Sequence, residues 1–274
     1  MSTVKNRIAL GLEYDGSQFC GWQRQKTGHA VQAALEVVLT EVANEPISTF
    51  CAGRTDAGVH ASGQVIHFDT SALRSERAWV YGANTILSRR QAGIRVLWAK
   101  PVSDTFNARR SAIARRYRYI IYNHPIRPSL LRQYVTWEYN ALDIECMIEA
   151  SQYWLGEHDF SSFRGSRCQS ISPVRNIQSI KIKRLNDHII VEFIADAFLH
   201  HMVRNMIGVL LKVGRGTEPA RWAKTVLENQ DRKTAGVTAP PMGLYLVEVQ
   251  YPERFSLPKI PLGPWFLNLN MGDL

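Results

Sequence analysis

Residues 51–68, CAGRTDAGVHASGQVIHF, place a single carboxylate, Asp56, in a loop between two strand-like runs. Glycines at positions 53, 58 and 63 let the backbone of this stretch turn tightly. The loop also carries Arg54, Thr55 and His60, and a hairpin turn does not require so many charged and polar side chains. A carboxylate in such a loop is suited to act as a nucleophile or a base, so Asp56 is a candidate catalytic residue.

Residues 198–214, FLHHMVRNMIGVLLKVG, predict a helix that is apolar on nearly every side and is interrupted by Arg204. Burying an unpaired guanidinium costs several kcal/mol, so a buried Arg204 needs a carboxylate partner. Asp56 is the partner we expect, because its loop is otherwise unexplained and a carboxylate beside an arginine stays ionised at neutral pH. The pattern leaves open that Arg204 is exposed on the polar side of the helix.

Residues 106–119, FNARRSAIARRYRY, contain five arginines, two tyrosines and no acid. In a strand, Tyr117 and Tyr119 share one face while Arg116 and Arg118 share the other. Guanidinium groups suit phosphates and aromatic faces suit unstacked bases, so this segment is typical of RNA binding. The alternative is a sheet whose tyrosines enter the core and whose arginines are solvated.

The composition narrows the class of protein. A net charge of +9 favours a polyanionic partner. The two glycines of GSQFCG, residues 16–21, lack the lysine and hydroxyl residue of a nucleotide-binding loop, and the histidine spacings do not suit a metal site, so no cofactor or metal is predicted. Four scattered cysteines indicate a reducing cytoplasm, and the apolar runs are too short to span a membrane.

The periodicity predicts an α+β protein in which each half offers strands and two helices in a similar order. We therefore expect two α+β units with antiparallel sheets: residues 1–106 with the Asp56 loop, and residues 107–274 with the tyrosine and arginine motifs and an extended tail. Trp265 and Phe266 are expected to dock that tail on a surface. The predicted strands are 7–14, 94–99, 114–122, 174–182, 188–194 and 243–249, and the predicted helices 31–43, 71–86, 144–155 and 199–213.

Six motifs resemble, in order, those of the TruA-type tRNA pseudouridine synthases, and they extend over nearly the whole chain: YDGSQFCGWQRQ, AGRTDAGVHASGQVIHF, ARRYRY, HDFSSFR, FLHHMVRNMIG and GLYLVEV. The resemblance implies the pseudouridine synthase fold, two ferredoxin-like or RRM-like units around a central catalytic cleft. It implies isomerisation of uridine to pseudouridine in the tRNA anticodon stem-loop (tRNA positions 38, 39 and 40). It also implies a homodimer that needs no metal or nucleotide cofactor.

The resemblance assigns roles to three catalytic positions. Asp56 matches the family's essential aspartate, and Arg204 matches the basic residue that pairs with it. Tyr117 matches the aromatic residue that stacks on the target base, and its hydroxyl is a candidate acceptor of the C5 proton. Whether the aspartate attacks C1′ or removes a proton from C2′ is not decided by the sequence.

The resemblance also assigns substrate contacts. Arg54 matches a position that helps to flip and hold the nucleotide, and Leu244 matches an apolar residue of the uracil pocket. His60 and Arg109 are expected to face the RNA, while Thr55 helps to hold Asp56 in place. Two alternatives stay open: a non-catalytic RNA-binding protein, in which Asp56 is replaceable, and a base-excising glycosidase, which would release free uracil.

Overall fold

A computed structural model describes residues 6–267 of the protein. The chain forms two compact units: the first contains residues up to Ile113 and again from Tyr245, and the second contains Ala114–Leu244. The predicted division at residue 106 assigned the whole C-terminal segment to the second unit. The structure places residues 245–267 in the first unit, because the strand that begins at Leu244 pairs with a strand of that unit through Tyr245 and Leu246.

The described residues form an α+β fold, as the sequence predicted. The strands are β1 (Asn6–Tyr14), β2 (Phe50–Cys51), β3 (His60–Thr70), β4 (Ile94–Val102), β5 (Ala114–Asn123), β6 (Thr136–Glu138), β7 (Gly156–Asp159), β8 (Val174–Leu185), β9 (His188–Ala195) and β10 (Leu244–Gln250). The α-helices are α1 (Val31–Ala43), α2 (Ala83–Arg89), α3 (Ile144–Gln152), α4 (Met202–Gly214) and α5 (Trp222–Glu228). Within residues 6–267, no helix combines the length and apolarity needed to span a membrane.

In the first unit, β3 pairs with three other strands. It pairs antiparallel with β1 and β2, and β1 pairs in turn with β4. The pairing of β10 with β3 is parallel, with Tyr245 opposite His60. Helix α1 buries Val31, Leu35 and Leu39 at the spacing that predicted it.

Two predictions in the first unit were wrong in detail. The helix predicted from residue 71 starts later, because the Glu45 carboxylate accepts the amide hydrogens of Ser71 and Ala72 and holds that segment outside the helix. In the tail, the Trp265 side chain is 77% exposed rather than docked, whereas Phe266 is half-buried and its ring meets that of Tyr245 edge-on, with centroids 6.2 Å apart, as predicted. The tail is also held by the buried Leu267 and by Gly263, whose backbone lies against the Ser62 side chain.

In the second unit, β5, β9, β8 and β7 form an antiparallel sheet, and β6 pairs parallel with β5. Asp143 caps α3 as predicted, since its carboxylate accepts the Cys146 amide hydrogen at 3.0 Å. Helix α4 includes Gly214, which the sequence placed just beyond the end, and the chain leaves the helix at Gly216 with a φ of 71°.

Candidate active site

The loop between β2 and β3 holds Asp56 on a fixed backbone. The Ala52 amide donates to the Val65 carbonyl at 2.8 Å, and the Val59 amide donates to the Asp56 carbonyl at 3.1 Å, closing a turn around the aspartate. Thr55 is buried, whereas Asp56 is half-buried and Arg54 is exposed. Hydrogen bonds therefore fix the main chain of the loop, while part of Asp56 stays exposed at the surface.

Residues 14–22 form the support beneath this loop. The hydroxyl groups of Tyr14 and Thr55 are 2.8 Å apart in a buried hydrogen bond, which confirms that Thr55 helps to hold the loop. The Trp22 amide donates to the Thr55 carbonyl at 3.0 Å. Gly21 has a φ of 102°, and a Cβ there would lie 2.7 Å from the Thr55 carbonyl oxygen. The YDGSQFCGW motif is thus a structural support for the loop that carries Asp56.

Gln64, on β3, closes the other side of the loop. Its side-chain amide is buried and donates to the Gly53 carbonyl at 2.7 Å, and the same nitrogen lies 3.4 Å from the Tyr14 hydroxyl. Tyr14 therefore supports the loop at two points. Its hydroxyl bonds directly to Thr55, and it also lies against Gln64, which bonds to Gly53. The sequence analysis assigned neither Tyr14 nor Gln64 to the site, although both lie inside the quoted motifs.

His60 occupies a different place from the one expected. Its side chain is 2% exposed, and its Nδ1 accepts the Gly16 amide hydrogen at 3.1 Å. The ring stacks on Tyr245 with centroids 4.8 Å apart. Because the ring is enclosed by the protein, the expectation that it faces the RNA is corrected: His60 joins the N-terminal support to β10.

Arg54 and Arg109 are both exposed, and their charges act on the same half-buried thiol, Cys51. Burial raises the pKa of Cys51 to about 12, and the positive charges of both arginines oppose that rise. The structure thus brings two predicted substrate-binding arginines to one end of the loop. Arg109 is held by the Asn107 carboxamide oxygen, which accepts its amide hydrogen at 3.0 Å.

Tyr117 lies on β5 of the second unit, opposite Phe193 of β9. Its ring is buried and meets the Phe198 ring edge-on, with centroids 5.0 Å apart and an interplanar angle of 81°. On the other face, Arg118 is buried, and its Nε lies 2.8 Å from Glu192 Oε2. Arg118 is therefore neither solvated nor an open phosphate ligand, and both expectations for it are corrected.

Arg204 projects from α4 and is half-buried. Its Nε donates to the Ala239 carbonyl at 2.8 Å, while the Ala239 amide donates to the Arg204 carbonyl at 3.1 Å. Two glycines permit this approach: a Cβ on Gly208 would lie 1.9 Å from the Val237 carbonyl oxygen, and one on Gly236 would lie 2.8 Å from the Gly208 oxygen. The segment from 236 to 239 thus lies directly on the helix backbone and orients the guanidinium.

A polar network fixes that segment, and sequence reasoning missed it. Arg232 donates to the Asn205 carboxamide oxygen at 3.0 Å and to the Thr238 hydroxyl at 2.9 Å. Thr238 in turn donates to Asn205 at 2.7 Å, and Asn205 donates to the Phe163 carbonyl at 2.7 Å. A signal for it was present in the sequence, since Asn205 is a polar residue inside an otherwise apolar helix.

Leu244, the remaining predicted position, is buried at the start of β10. Its amide donates to the Pro241 carbonyl at 2.9 Å, and the preceding Gly243 carbonyl accepts from the Ile120 amide at 2.8 Å. The backbone at Gly243 approaches β5 so closely that a Cβ would lie 2.6 Å from the Ile120 oxygen. The position of Leu244 is thereby fixed against the strand that carries Tyr117.

Each unit accordingly presents its own group of predicted residues. Asp56, Arg54 and Arg109 belong to the first, and Tyr117, Arg204 and Leu244 belong to the second. Chemically, the first group offers a carboxylate and two cations, and the second offers an aromatic ring, a cation and an apolar side chain. The pairing of Asp56 with Arg204 stays a prediction.

Comparisons with known proteins identify the family. A family model described as tRNA pseudouridine synthase matches residues 12–109 and 150–252. A protein named tRNA pseudouridine synthase A from Coxiella burnetii (strain Dugway 5J108-111) is 56% identical over 261 residues, which are 95% of this chain and 99% of that protein. A protein of the same name from Shewanella sp. (strain ANA-3) is 55% identical over the same length and coverage.

Among solved structures, a chain from the crystal structure of a Cbf5-Nop10-Gar1 complex gives a TM-score of 0.37 at 13% identity, and the match covers 87% of this chain and 48% of that one. That likeness is too low to carry an argument. The family model covers well over half of the residues, and the two relatives are similar from end to end. The chain belongs to the tRNA pseudouridine synthase family.

Proposed function

We propose that this enzyme converts uridine to pseudouridine in the anticodon stem-loop of tRNA, at positions 38, 39 and 40, with Asp56 acting on the ribose of a flipped nucleotide. The reaction breaks the N1–C1′ bond and forms a C5–C1′ bond. A proton leaves C5 and one is gained at N1, so the change is redox-neutral and releases no fragment of the base.

Asp56 can serve this reaction in two ways, and each regenerates the carboxylate. In the first, its oxygen attacks C1′ as N1 departs with the bonding electrons, and C5 then displaces the carboxylate. In the second, it removes the C2′ proton, a C1′–C2′ double bond forms as N1 departs, and the proton returns when C5 bonds to C1′. Either route needs one carboxylate, whereas most glycoside hydrolases use two.

The observation that carries the proposal is the immobilised loop beneath a partly exposed aspartate. Thr55, the residue before Asp56, is held through its hydroxyl by Tyr14 and through its carbonyl by Trp22. A carboxylate held in place in this way loses little freedom when it meets a ribose, which is the arrangement that efficient catalysis needs. A loop serving only as a turn has no need of buried hydrogen bonds to two neighbouring segments.

The other predicted residues complete the proposal. A base within a stem-loop must leave the stack to be modified, at a cost of a few kcal/mol. Exposed Arg54 and Arg109 are suited to hold phosphates of the distorted strand, and the net charge of +9 supports that role. We assign Tyr117 to stacking on the detached uracil, Leu244 to its apolar pocket and Arg204 to the Asp56 carboxylate. We also propose, on the resemblance, that the enzyme acts as a cytoplasmic homodimer.

The decisive experiment measures tritium release from tRNA labelled at C5 of uridine, followed by mapping of the modified positions. Asp56→Asn should bind tRNA as the wild type does, while its rate of release should fall by at least about 10³-fold, since an amide is neither a nucleophile nor a base. Asp69→Asn is the matched control, because Asp69 lies in the same stretch but is paired with Arg7 at 2.7 Å. It should retain activity.

Four results would count against the proposal. Lack of tritium release by the wild-type chain would refute the activity itself. Free uracil as the product would indicate a base-excising glycosidase. Full activity of Asp56→Asn would show that the aspartate is not the reacting group, and modification outside the anticodon stem-loop would refute the assigned positions.

A further inference from the structure

A second basic and aromatic site lies in the second unit and includes none of the residues assigned above, although its lining residues Pro240 and Met242 lie between Ala239 and Leu244 in the chain. It is a cavity of about 210 Å³ next to β6, with Arg127, Arg132 and Trp137 on its walls and Val135, Pro240 and Met242 as its apolar lining. This volume is below the range of about 300–1,000 Å³ that is usual for drug-sized ligands, so the cavity suits a smaller group. A single nucleobase or a similar flat ring is of that kind.

Trp137 is held rigidly as one wall of this cavity. Its indole Nε1 donates to the His124 carbonyl at 2.8 Å, and its backbone pairs with Tyr122 of β5. The Arg127 guanidinium lies over the ring, 5.9 Å from its centroid, within the range of a cation–π contact. The ring is thus fixed in orientation, and a base that stacks on the face below Arg127 displaces the guanidinium, which is exposed and can turn towards a phosphate.

The charge around the cavity is positive and is not balanced by nearby acids. Residues 124–137 contain two arginines and no Asp or Glu. Within the part of the chain that the structure describes, Arg127 and Arg132 form no ion pair with a carboxylate, and both are exposed. The adjacent Glu138 is buried and is bound by Arg215, so it does not offset them.

We infer that this cavity binds one unstacked nucleotide of the tRNA substrate, other than the target uridine, with its base on Trp137 and its phosphates on Arg127 and Arg132. The inference rests on the proposed function for the identity of the RNA. Its support is charge complementarity, because two guanidinium groups without acidic partners match a polyanion. Stacking on an aromatic face tolerates any base, so the site adds affinity rather than sequence preference.

The inference predicts effects on binding that differ from those of the catalytic residues. The double variant Arg127→Gln/Arg132→Gln should weaken tRNA binding about tenfold at physiological salt, and the slope of log affinity against log salt should fall by about 1–2 because up to two phosphate contacts are lost. Trp137→Leu should weaken binding by a similar factor, whereas Trp137→Phe should keep most of it because a ring remains.

The matched control is Arg89→Gln/Arg221→Gln, which removes the same charge from two exposed arginines elsewhere. Affinities are measured by filter binding of full-length tRNA to the whole protein between 50 and 300 mM salt, roughly the range in which counterion effects are resolved. Urea unfolding midpoints of all variants are compared with that of the wild type. If Trp137→Leu fails to fold, the arginine pair and Trp137→Phe still decide the question.

Two outcomes would overturn the inference. The first is an arginine pair whose affinity and salt slope equal those of the control. The second is self-association through this face: Ile126 and Leu130, which are 72% and 83% exposed beside the cavity, offer apolar surface to a second copy. Sedimentation tests this alternative. If Ile126→Ser/Leu130→Ser dissociates a dimer, and the arginine pair leaves the tRNA affinity per subunit unchanged, the face binds a second copy of the chain and not RNA.

These results are separable from the proposed function. Tritium release by the wild type tests the isomerase activity without reference to the cavity. Normal release together with unchanged binding by the arginine pair refutes the cavity alone. Loss of binding by the arginine pair together with no release by the wild type would support an RNA site on a protein with another activity.

Discussion

The Asp56 loop and the helix that carries Arg204 each position a charged side chain, but they do so through different interactions. The loop is held by groups distant in the sequence, since Tyr14 and Trp22 bond to Thr55 through hydroxyl and backbone groups. The Arg204 side chain is likewise oriented by a segment distant in the sequence, because residues 236–239 lie on α4 through Gly208 and Gly236, but its own backbone is already held by the hydrogen bonds of the helix. A loop has no internal ladder of hydrogen bonds, so its geometry must be supplied from outside.

This comparison predicts that the loop is the more sensitive of the two regions to a backbone change. Gly21→Ala places a side chain at a φ of 102° and 2.7 Å from the Thr55 oxygen. The strained dihedral and the overlap together should cost about 2–5 kcal/mol of unfolding free energy. Activity should fall further than stability explains, because the overlap displaces the residue next to Asp56. Urea unfolding and tritium release measure the two effects.

Gly216→Ala is the control from the other unit. Gly216 also has a positive φ, of 71°, but a Cβ there meets no atom within 4 Å. The dihedral alone should cost about 1–2 kcal/mol and leave the rate of release of the folded enzyme unchanged. Equal effects of the two substitutions would show that the close approach of Gly21 to the loop has no importance.

Much of this fold was predictable from the sequence, because periodicity reports which residues a local element buries. The spacing of Val31, Leu35 and Leu39 predicted α1, and Asp143 predicted the start of α3. The short strand β6 escaped prediction, and β2 was expected only as a strand-like run before the Asp56 loop, since two or three residues carry no period. They exist only because a longer neighbouring strand pairs with them.

The motifs predicted the candidate site residues, but they did not predict the residues that hold those side chains in place. Asp56 and Arg204 stood out as charges in unusual settings. Gln64 did not stand out, because a glutamine in a strand is expected to be exposed to solvent. Only the fold shows that it is buried and donates to Gly53. His60 was misjudged for the converse reason: a histidine beside a catalytic loop suggests substrate contact, whereas this one packs on Tyr245, which lies far along the chain.

The network behind Arg204 gives the second prediction, with a smaller effect. Thr238→Val keeps the shape of the side chain but removes the hydroxyl that accepts from Arg232 and donates to Asn205. The loss should cost about 1 kcal/mol, because two hydrogen bonds are removed while Arg232 and Asn205 keep the bond between them. The Ala239 carbonyl follows Thr238 in the chain, so the Arg204 guanidinium loses its alignment and the turnover rate should fall several-fold.

Thr238→Ser is the matched control, because it retains the hydroxyl and should recover both the stability and the turnover rate. The substrate concentration at half-maximal rate should change little in either variant, since the proposed role is to orient Arg204 rather than to bind tRNA. A Thr238→Val enzyme with normal turnover would show that α4 alone orients Arg204 and that the network is structural.

A last prediction distinguishes the two units by their response to pH. Burial is the main reason that the pKa of His67 is lowered from its ordinary 6.5 to about 4. Its Nδ1 accepts the Ala108 amide hydrogen at 3.1 Å, which requires that nitrogen to be unprotonated. Between pH 6.5 and 4 the unfolded chain binds more protons at this site than the folded chain, so stability is lost as the pH falls through this window.

His67→Asn should weaken that pH dependence, because a carboxamide oxygen can accept the Ala108 hydrogen but does not titrate. The measurement is the urea midpoint of wild type and variant at several pH values across the window, where the wild type should lose more stability. The segment beside Arg109 should open first, since Ala108 precedes it, whereas Asn205 and Thr238 behind Arg204 do not titrate there. Parallel curves for the two proteins would mean that His67 binds protons equally in the folded and unfolded states and that the first unit owes no acid sensitivity to it.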